Sequence, residues 1–269
     1  MKRKVFATFI LVFSILLLAA CGQETSNDAA SGNESSEKEK LIIGTDAAFA
    51  PFEYMDKGEI VGFDIDFIDA VLKEAGYEYE VRNVGWDPLF PSIENGDVDF
   101  GLSGISITPD RLKTYDFSSS YFESALMIVA PEGTDIKTAN DLEGKLVGVQ
   151  NGTTGQGAVE KLLGENNKNI KKYETTALAI MAMKNGDVAA VVTDNTVANE
   201  YVENNPDDKF VTISDKENFE PEYYALMFKK DNELRNELDK AIKSVIDNGT
   251  YTKIYEEWFG STPNVDALK

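Results

Sequence analysis

The chain has 269 residues, 42% of them hydrophobic, enough to bury one large core or two modest ones. Its 47 acidic residues outnumber 26 basic ones, and the net charge of −21 excludes nucleic acid as a partner, because such a surface needs a basic face. With no histidine and one cysteine, Cys21, the chain can build no histidine-based triad, no His/Cys zinc site and no internal disulfide, so neither metal nor cofactor is expected.

Lys2, Arg3 and Lys4 precede an apolar run over 5–20 that is interrupted only by Thr8 and Ser14. A positive start, an apolar stretch and small residues at its end predict a secretory signal peptide over 1–20. The run is short of the ~20 apolar residues a membrane span needs. Leu18-Ala19-Ala20-Cys21-Gly22 resembles the bacterial lipobox, and the resemblance implies that Cys21 is lipidated and becomes the first residue after cleavage. Residues 21–40 are rich in Ser, Asn, Glu and Gly and read as a flexible tether.

The folded part is expected to start at Leu41. A strand over 41–45 is followed by a helix over 63–75, with Ile65, Ile68, Val71 and Leu72 at helical spacing and Gly76 as its stop. A strand over 77–81, a short helix over 88–94 closed by Asn95-Gly96, and a strand over 98–103 come next. The order then repeats: strand 146–150, helix 155–163, strand 170–173, helix 176–184, strand 188–193. The letters repeat with it, Asn95-Gly96-Asp97-Val98 before one strand and Asn185-Gly186-Asp187-Val188 before another. Such strings are common turn signals, but the matching order of elements favours two related halves. Alternating strands and helices predict an α/β fold, each half a mainly parallel sheet flanked by helices. A strand over 223–228 and helices over 232–247 and 250–259 return the chain to the first half. The expected layout is a first lobe of 41–125 with 224–269 and a second lobe of 126–223, joined by two hinge strands near 121–125 and 222–226.

Gly62-Phe63-Asp64-Ile65-Asp66-Phe67, followed by a helix, resembles the signature of bacterial extracellular solute-binding proteins of the polar amino-acid family. Four further segments agree in order: residues 44–52, residues 103–111, residues 148–155, and Asp247-Asn248-Gly249-Thr250-Tyr251 with Trp258-Phe259. The resemblance runs from about Leu41 to Gly260. It implies a two-lobed periplasmic-binding-protein fold of type II, a free amino acid as ligand, and an ABC importer's membrane permease and ATPase as partners. The chain is then a monomer held on the outer face of the cell membrane by the lipid on Cys21.

A free amino acid is a zwitterion, so a dry cleft must pair both of its charges. By family position Arg111 clamps the carboxylate, for which a guanidinium fork is suited. A surface ion pair of Arg111 with Asp110 or Asp116 is the structural alternative. Thr153 and Thr154 precede a helix whose N-terminal amides suit an anion, or serve as an ordinary N-cap. Asp194 is implied for the α-ammonium, with a helix N-cap as its other reading; Gly104 and Ser106 would add a carbonyl and a hydroxyl. Phe49 and Trp86 match the family's aromatic walls. Core packing is the alternative for Phe49, whereas Trp86 sits in an apparent turn, where burial in a core is not expected. Asp46 would read the ligand's distal end, or simply close the turn after the first strand.

The chain departs from some glutamine-binding relatives in having Gln150 and Thr193 where they carry Lys and His, two potential cations. That loss, Asp46, Trp86 and the overall acidity point to arginine, lysine or histidine rather than glutamine. The same fold also occurs in cyclohexadienyl dehydratases, but dehydration needs a poised acid, and Asp46 and Asp194 already have binding roles. A sensory input module would be followed by a membrane span, and no apolar run of that length follows residue 40.

Overall fold

The computed structural model describes residues 40–268. The expected signal peptide, the lipid site at Cys21 and the tether up to residue 39 lie outside the described residues.

In chain order the elements are β1 (Leu41–Thr45), β2 (Ala48–Phe49), β3 (Glu53–Asp56), β4 (Glu59–Val61), α1 (Phe63–Ala75), β5 (Tyr79–Asn83), α2 (Trp86–Asn95), β6 (Phe100–Gly101), α3 (Arg111–Thr114), β7 (Tyr115–Phe117) and β8 (Phe122–Pro131). They continue with β9 (Val147–Gln150), α4 (Thr154–Leu163), β10 (Ile170–Tyr173), α5 (Thr176–Lys184), β11 (Ala190–Asp194), α6 (Asn195–Asn204), β12 (Phe210–Ser214), β13 (Pro221–Tyr224), β14 (Met227–Lys229), α7 (Leu234–Asp247) and α8 (Thr250–Phe259).

Two sheets share one plan. The first has the order β5-β1-β6-β14-β7 and the second β10-β9-β11-β8-β12. In each, the first three strands run parallel and the fourth runs against both its neighbours. That reversed strand is the one the chain reaches on crossing from the other half. The repeat seen in the letters is structural: β1-α1-β5-α2-β6 matches β9-α4-β10-α5-β11. Even the two helix stops agree, with the Asp97 amide donating to the Ser92 carbonyl at 2.9 Å and the Asp187 amide to the Ala182 carbonyl at 2.8 Å. These are the long-range closing bonds of a Schellman motif, which satisfy carbonyls orphaned at a helix end.

The sheets are joined through β8, whose start pairs antiparallel with β13 (Ala125 opposite Pro221, Phe122 opposite Tyr224) and whose remainder belongs to the second sheet. An aromatic cluster of Phe52, Phe63, Phe67, Tyr121, Phe122, Tyr224 and Tyr251 packs under this junction. Burying each such ring stabilises by roughly 1.5–3 kcal/mol, so the junction is anchored firmly to the first sheet. Leu126, Ile128, Val147, Val149 and Val192 form a separate core on the second.

One expectation is corrected and two elements are added. The strand expected over 223–228 is interrupted: the Ala225 amide donates to the Ile105 carbonyl and the Leu226 amide to Ser118 Oγ, where the chain changes sheets. Asn195–Asn204 is helical, and β2, β3 and β4 form a small antiparallel sheet, neither of which the periodicity revealed.

Candidate ligand-binding cleft

Carboxyl ends of parallel strands in open α/β sheets leave crevices where ligands bind. Here Asp46 follows β1, Ser103, Gly104 and Ser106 follow β6, Gln150 ends β9 and Asp194 ends β11. Trp86, Arg111 and Thr154 are the first residues of α2, α3 and α4. Both sheets thus aim side chains at one gap. All nine residues singled out from sequence line a single cavity of about 310 Å³, joined by Glu53, Ser103 and Gln150.

The Arg111 guanidinium lies 5.4 Å from the centres of both the Trp86 and Phe90 rings. Nη1 donates to the Ser106 carbonyl at 2.8 Å and Nη2 to the Gly152 carbonyl, across the cleft, at 3.3 Å. Its alternative partners are engaged elsewhere, Asp110 with Lys113 and Asp116 with Lys230. Burial lowers the guanidinium to about 10, partly offset by the carboxylates of Glu222 and Asp194, so it remains a cation at neutral pH.

Asp194 is buried on the opposite side. Its backbone precedes α6, but its carboxylate makes no cap bond. Oδ1 instead accepts from the Tyr224 hydroxyl at 2.6 Å and from Ser124 Oγ at 3.1 Å. Burial, then the nearby Glu222 charge, raises the carboxyl to about 7. A carboxylate held dry, with no ion pair of its own among the described residues, is arranged for a cation that arrives with a ligand.

At the far end, Asp46 Oδ2 accepts from Gln150 Nε2 at 3.0 Å, while Gln150 Oε1 accepts from Thr176 Oγ1, also at 3.0 Å. Gln150 therefore orients Asp46. Burial raises the Asp46 carboxyl, with the Gln150 bond opposing it. Glu53 is fully buried beside it and accepts from Ser103 Oγ at 2.6 Å. Phe49 forms a wall, fixed by Gly104: a Cβ there would sit 3.0 Å from the Phe49 ring on a backbone with φ of +52°, so only glycine lets the two approach.

Some roles change. Trp86 is buried, not in an open turn; it packs with Leu89, Phe90 and Ile93 while one edge faces the cavity. The Thr153 hydroxyl is an N-cap, accepting from the Gln156 amide and donating to the Gln150 carbonyl. Ser106 and Thr154 donate their hydroxyls to one acceptor that sequence reading passed over, Glu222 Oε2, at 2.6 and 2.8 Å. Glu222 lies on β13 at the hinge, and Thr154 on the far side of the cleft. Asn151 Nδ2 also crosses the cleft, to both Asp87 carboxylate oxygens at 3.1 Å. With the Arg111–Gly152 and Gln150–Asp46 bonds, these contacts hold the two sides together over the cavity.

Residues 41–261 match the family described as bacterial extracellular solute-binding proteins, family 3. The chain is 37% identical over 264 residues to a probable histidine-binding protein of Neisseria gonorrhoeae, covering 96% of this chain and 97% of that one. It is 35% identical over 247 residues to the arginine-binding extracellular protein ArtP of Bacillus subtilis, covering 91% and 96%. Among solved structures, the arginine-, lysine-, histidine-binding protein ArtJ of Geobacillus stearothermophilus superposes with a TM-score of 0.84 at 56% identity, over 86% of this chain and 99% of that one.

Proposed function

The chain belongs to the bacterial extracellular solute-binding proteins, family 3, and from that premise we propose that it captures a free basic amino acid, arginine, lysine or histidine, and delivers it to an ABC importer. Its fold is the two-lobed type II periplasmic-binding-protein fold. The observation that carries the ligand reading is the shared cavity: the Arg111 guanidinium on one side, the buried Asp194 carboxyl on the other, and two more acids at the far end.

The ligand's α-carboxylate takes the Arg111 fork together with the first amides of α4, where the helix dipole favours an anion. Its α-ammonium takes Asp194, the Gly104 carbonyl and the Ser106 hydroxyl. The aliphatic stem lies between Phe49 and Trp86, and the distal cation meets Asp46 and Glu53. Neither charge could be buried unpaired, since that costs several kcal/mol. Closure of a lobe of 126–223 onto one of 41–125 with 224–269, about β8 and β13, excludes water and completes the pairing. The chain acts as a monomer, carried on the outer face of the membrane by lipid on Cys21, with a permease and an ATPase as partners. It is a receptor rather than an enzyme, because the cleft acids are all assigned to binding.

Titration calorimetry against arginine, lysine, histidine, glutamine and prephenate tests this reading. One tight site for a basic amino acid is expected, weakened at least ~100-fold in Arg111→Ala, in line with the ~3–5 kcal/mol lost when one member of a buried pair is removed. Glutamine binding with no response to the basic amino acids would replace the ligand and leave the class standing. Turnover of prephenate would overturn the receptor reading.

A further inference from the structure

Beneath the cavity floor two carboxyl groups lie within hydrogen-bonding reach of each other, Glu53 at the start of β3 and Asp64 in the first turn of α1. Both are fully buried. Glu53 Oε2 and Asp64 Oδ1 are each buried with no hydrogen-bond partner. A buried oxygen without a donor is costly, and two facing carboxylates would add repulsion. A single proton between them removes both penalties.

The donors around the pair decide which group carries it. Asp64 Oδ2 accepts from the Gly104 amide at 3.1 Å and the Tyr121 hydroxyl at 2.9 Å, whereas Glu53 accepts only from Ser103 Oγ. The better-solvated Asp64 holds the charge and Glu53 the proton. Burial pushes the Glu53 carboxyl well up, and the Asp64 and Asp46 charges push it further. The titratable groups facing the pair are Asp46 from the β1–β2 connection, Tyr121 just before β8, and Tyr251 from α8. No ion pair among the described residues involves either carboxyl. Glu53 also lines the ligand cavity, and Asp64 does not.

We infer that Glu53 and Asp64 share one proton in the empty protein, and that a ligand with a cationic side chain expels it through Glu53 to solvent. The inference rests on the reading of the cleft as a basic amino-acid site. The exchange keeps the summed charge of ligand and acids at the far end of the cleft constant: one positive charge enters on the ligand and one leaves as the proton. It gives the far end of the cleft a specificity element that neither acid supplies alone. Emptied of its proton, the pair presents its second negative charge only when a cation is there to meet it.

The test is calorimetry of arginine binding at pH 7 in buffers of differing ionisation enthalpy, which counts the protons released. Asp194 contributes to that count in every variant, so the comparison is between proteins. The wild type is expected to release about one proton more than Glu53→Gln or Asp64→Asn, since either change leaves no shared proton to expel. Carbon-13 NMR of the wild type labelled only at glutamate carboxyl carbons reads the same event without mutation and without signal from Asp194. One glutamate should resonate as a carboxylic acid in the empty protein and move to the carboxylate range with arginine. Equal proton release in wild type and variants, or no glutamate in the acid form, overturns the shared proton while leaving arginine binding intact. Failure of the wild type to bind arginine removes the functional reading, and this inference with it.

Discussion

Asp194 offers two readings in the sequence, and the structure divides them between backbone and side chain. The backbone leads into α6, but the carboxylate turns to Tyr224, Ser124 and the cavity. Its raised carboxyl, about 7 against 3.8, has a consequence for stability. Between those values the unfolded chain has lost this proton and the folded chain keeps it, so the ligand-free protein loses stability as pH rises from about 4 to 7. About three units correspond to on the order of 4 kcal/mol at most. Chemical denaturation of the empty protein at pH 5 and pH 8 should show higher stability at pH 5, with a smaller difference in Asp194→Asn; an identical difference in both proteins would contradict the assignment. Other single residues were legible to different degrees. Arg111 was legible as the carboxylate clamp by its family position, and its alternative, an ion pair with Asp110 or Asp116, falls because Lys113 and Lys230 occupy those acids. Glu53 gave no signal, because its burial depends on the small β2-β3-β4 sheet, whose segments are too short to show a period.

Among the elements, the helices other than α3 and α6 were legible, and three strand starts were shifted for one recurring reason. α1, α5 and α8 have the bounds expected from the sequence. Strands expected at 77, 98 and 188 begin two residues later, at Tyr79, Phe100 and Ala190. In each case an amide at or just before the expected start still serves the preceding helix: Tyr77 donates to Leu72, Asp97 and Val98 to Ser92, and Asp187 to Ala182, and strand-side bonding begins only after it, with Asp99 donating to Ile42 and Ala189 to Leu146. A helix closed by glycine consumes the next residues in its Schellman bonds, and β-propensity cannot claim them. The loop between β9 and α4 carries its own prediction. Asn151 reaches Asp87 only when the lobes are together, and the contact is solvent-exposed, so about 1 kcal/mol is at stake. Asn151→Ala should weaken arginine binding roughly fivefold and leave the melting temperature of the empty protein unchanged. Unaltered affinity would show that the contact does not contribute to closure.

For the whole molecule, topology does what no single motif could. Placing the one reversed strand of each sheet at the crossover makes β8 and β13 neighbours, and so sets the two halves of the cleft on a shared pair of strands. The repeated strand order then turns equivalent strand ends toward each other, which brings Arg111 opposite Asp194 and the α4 terminus. The net charge of −21 adds a long-range attraction for a cationic ligand, screened by salt. A crystal structure of the protein with arginine tests the central claim most directly. The account predicts the ligand carboxylate on the Arg111 guanidinium, its ammonium on Asp194, and its side chain running between Phe49 and Trp86 to Asp46 and Glu53. Arginine bound with its ends exchanged, or in any other cavity, would contradict it.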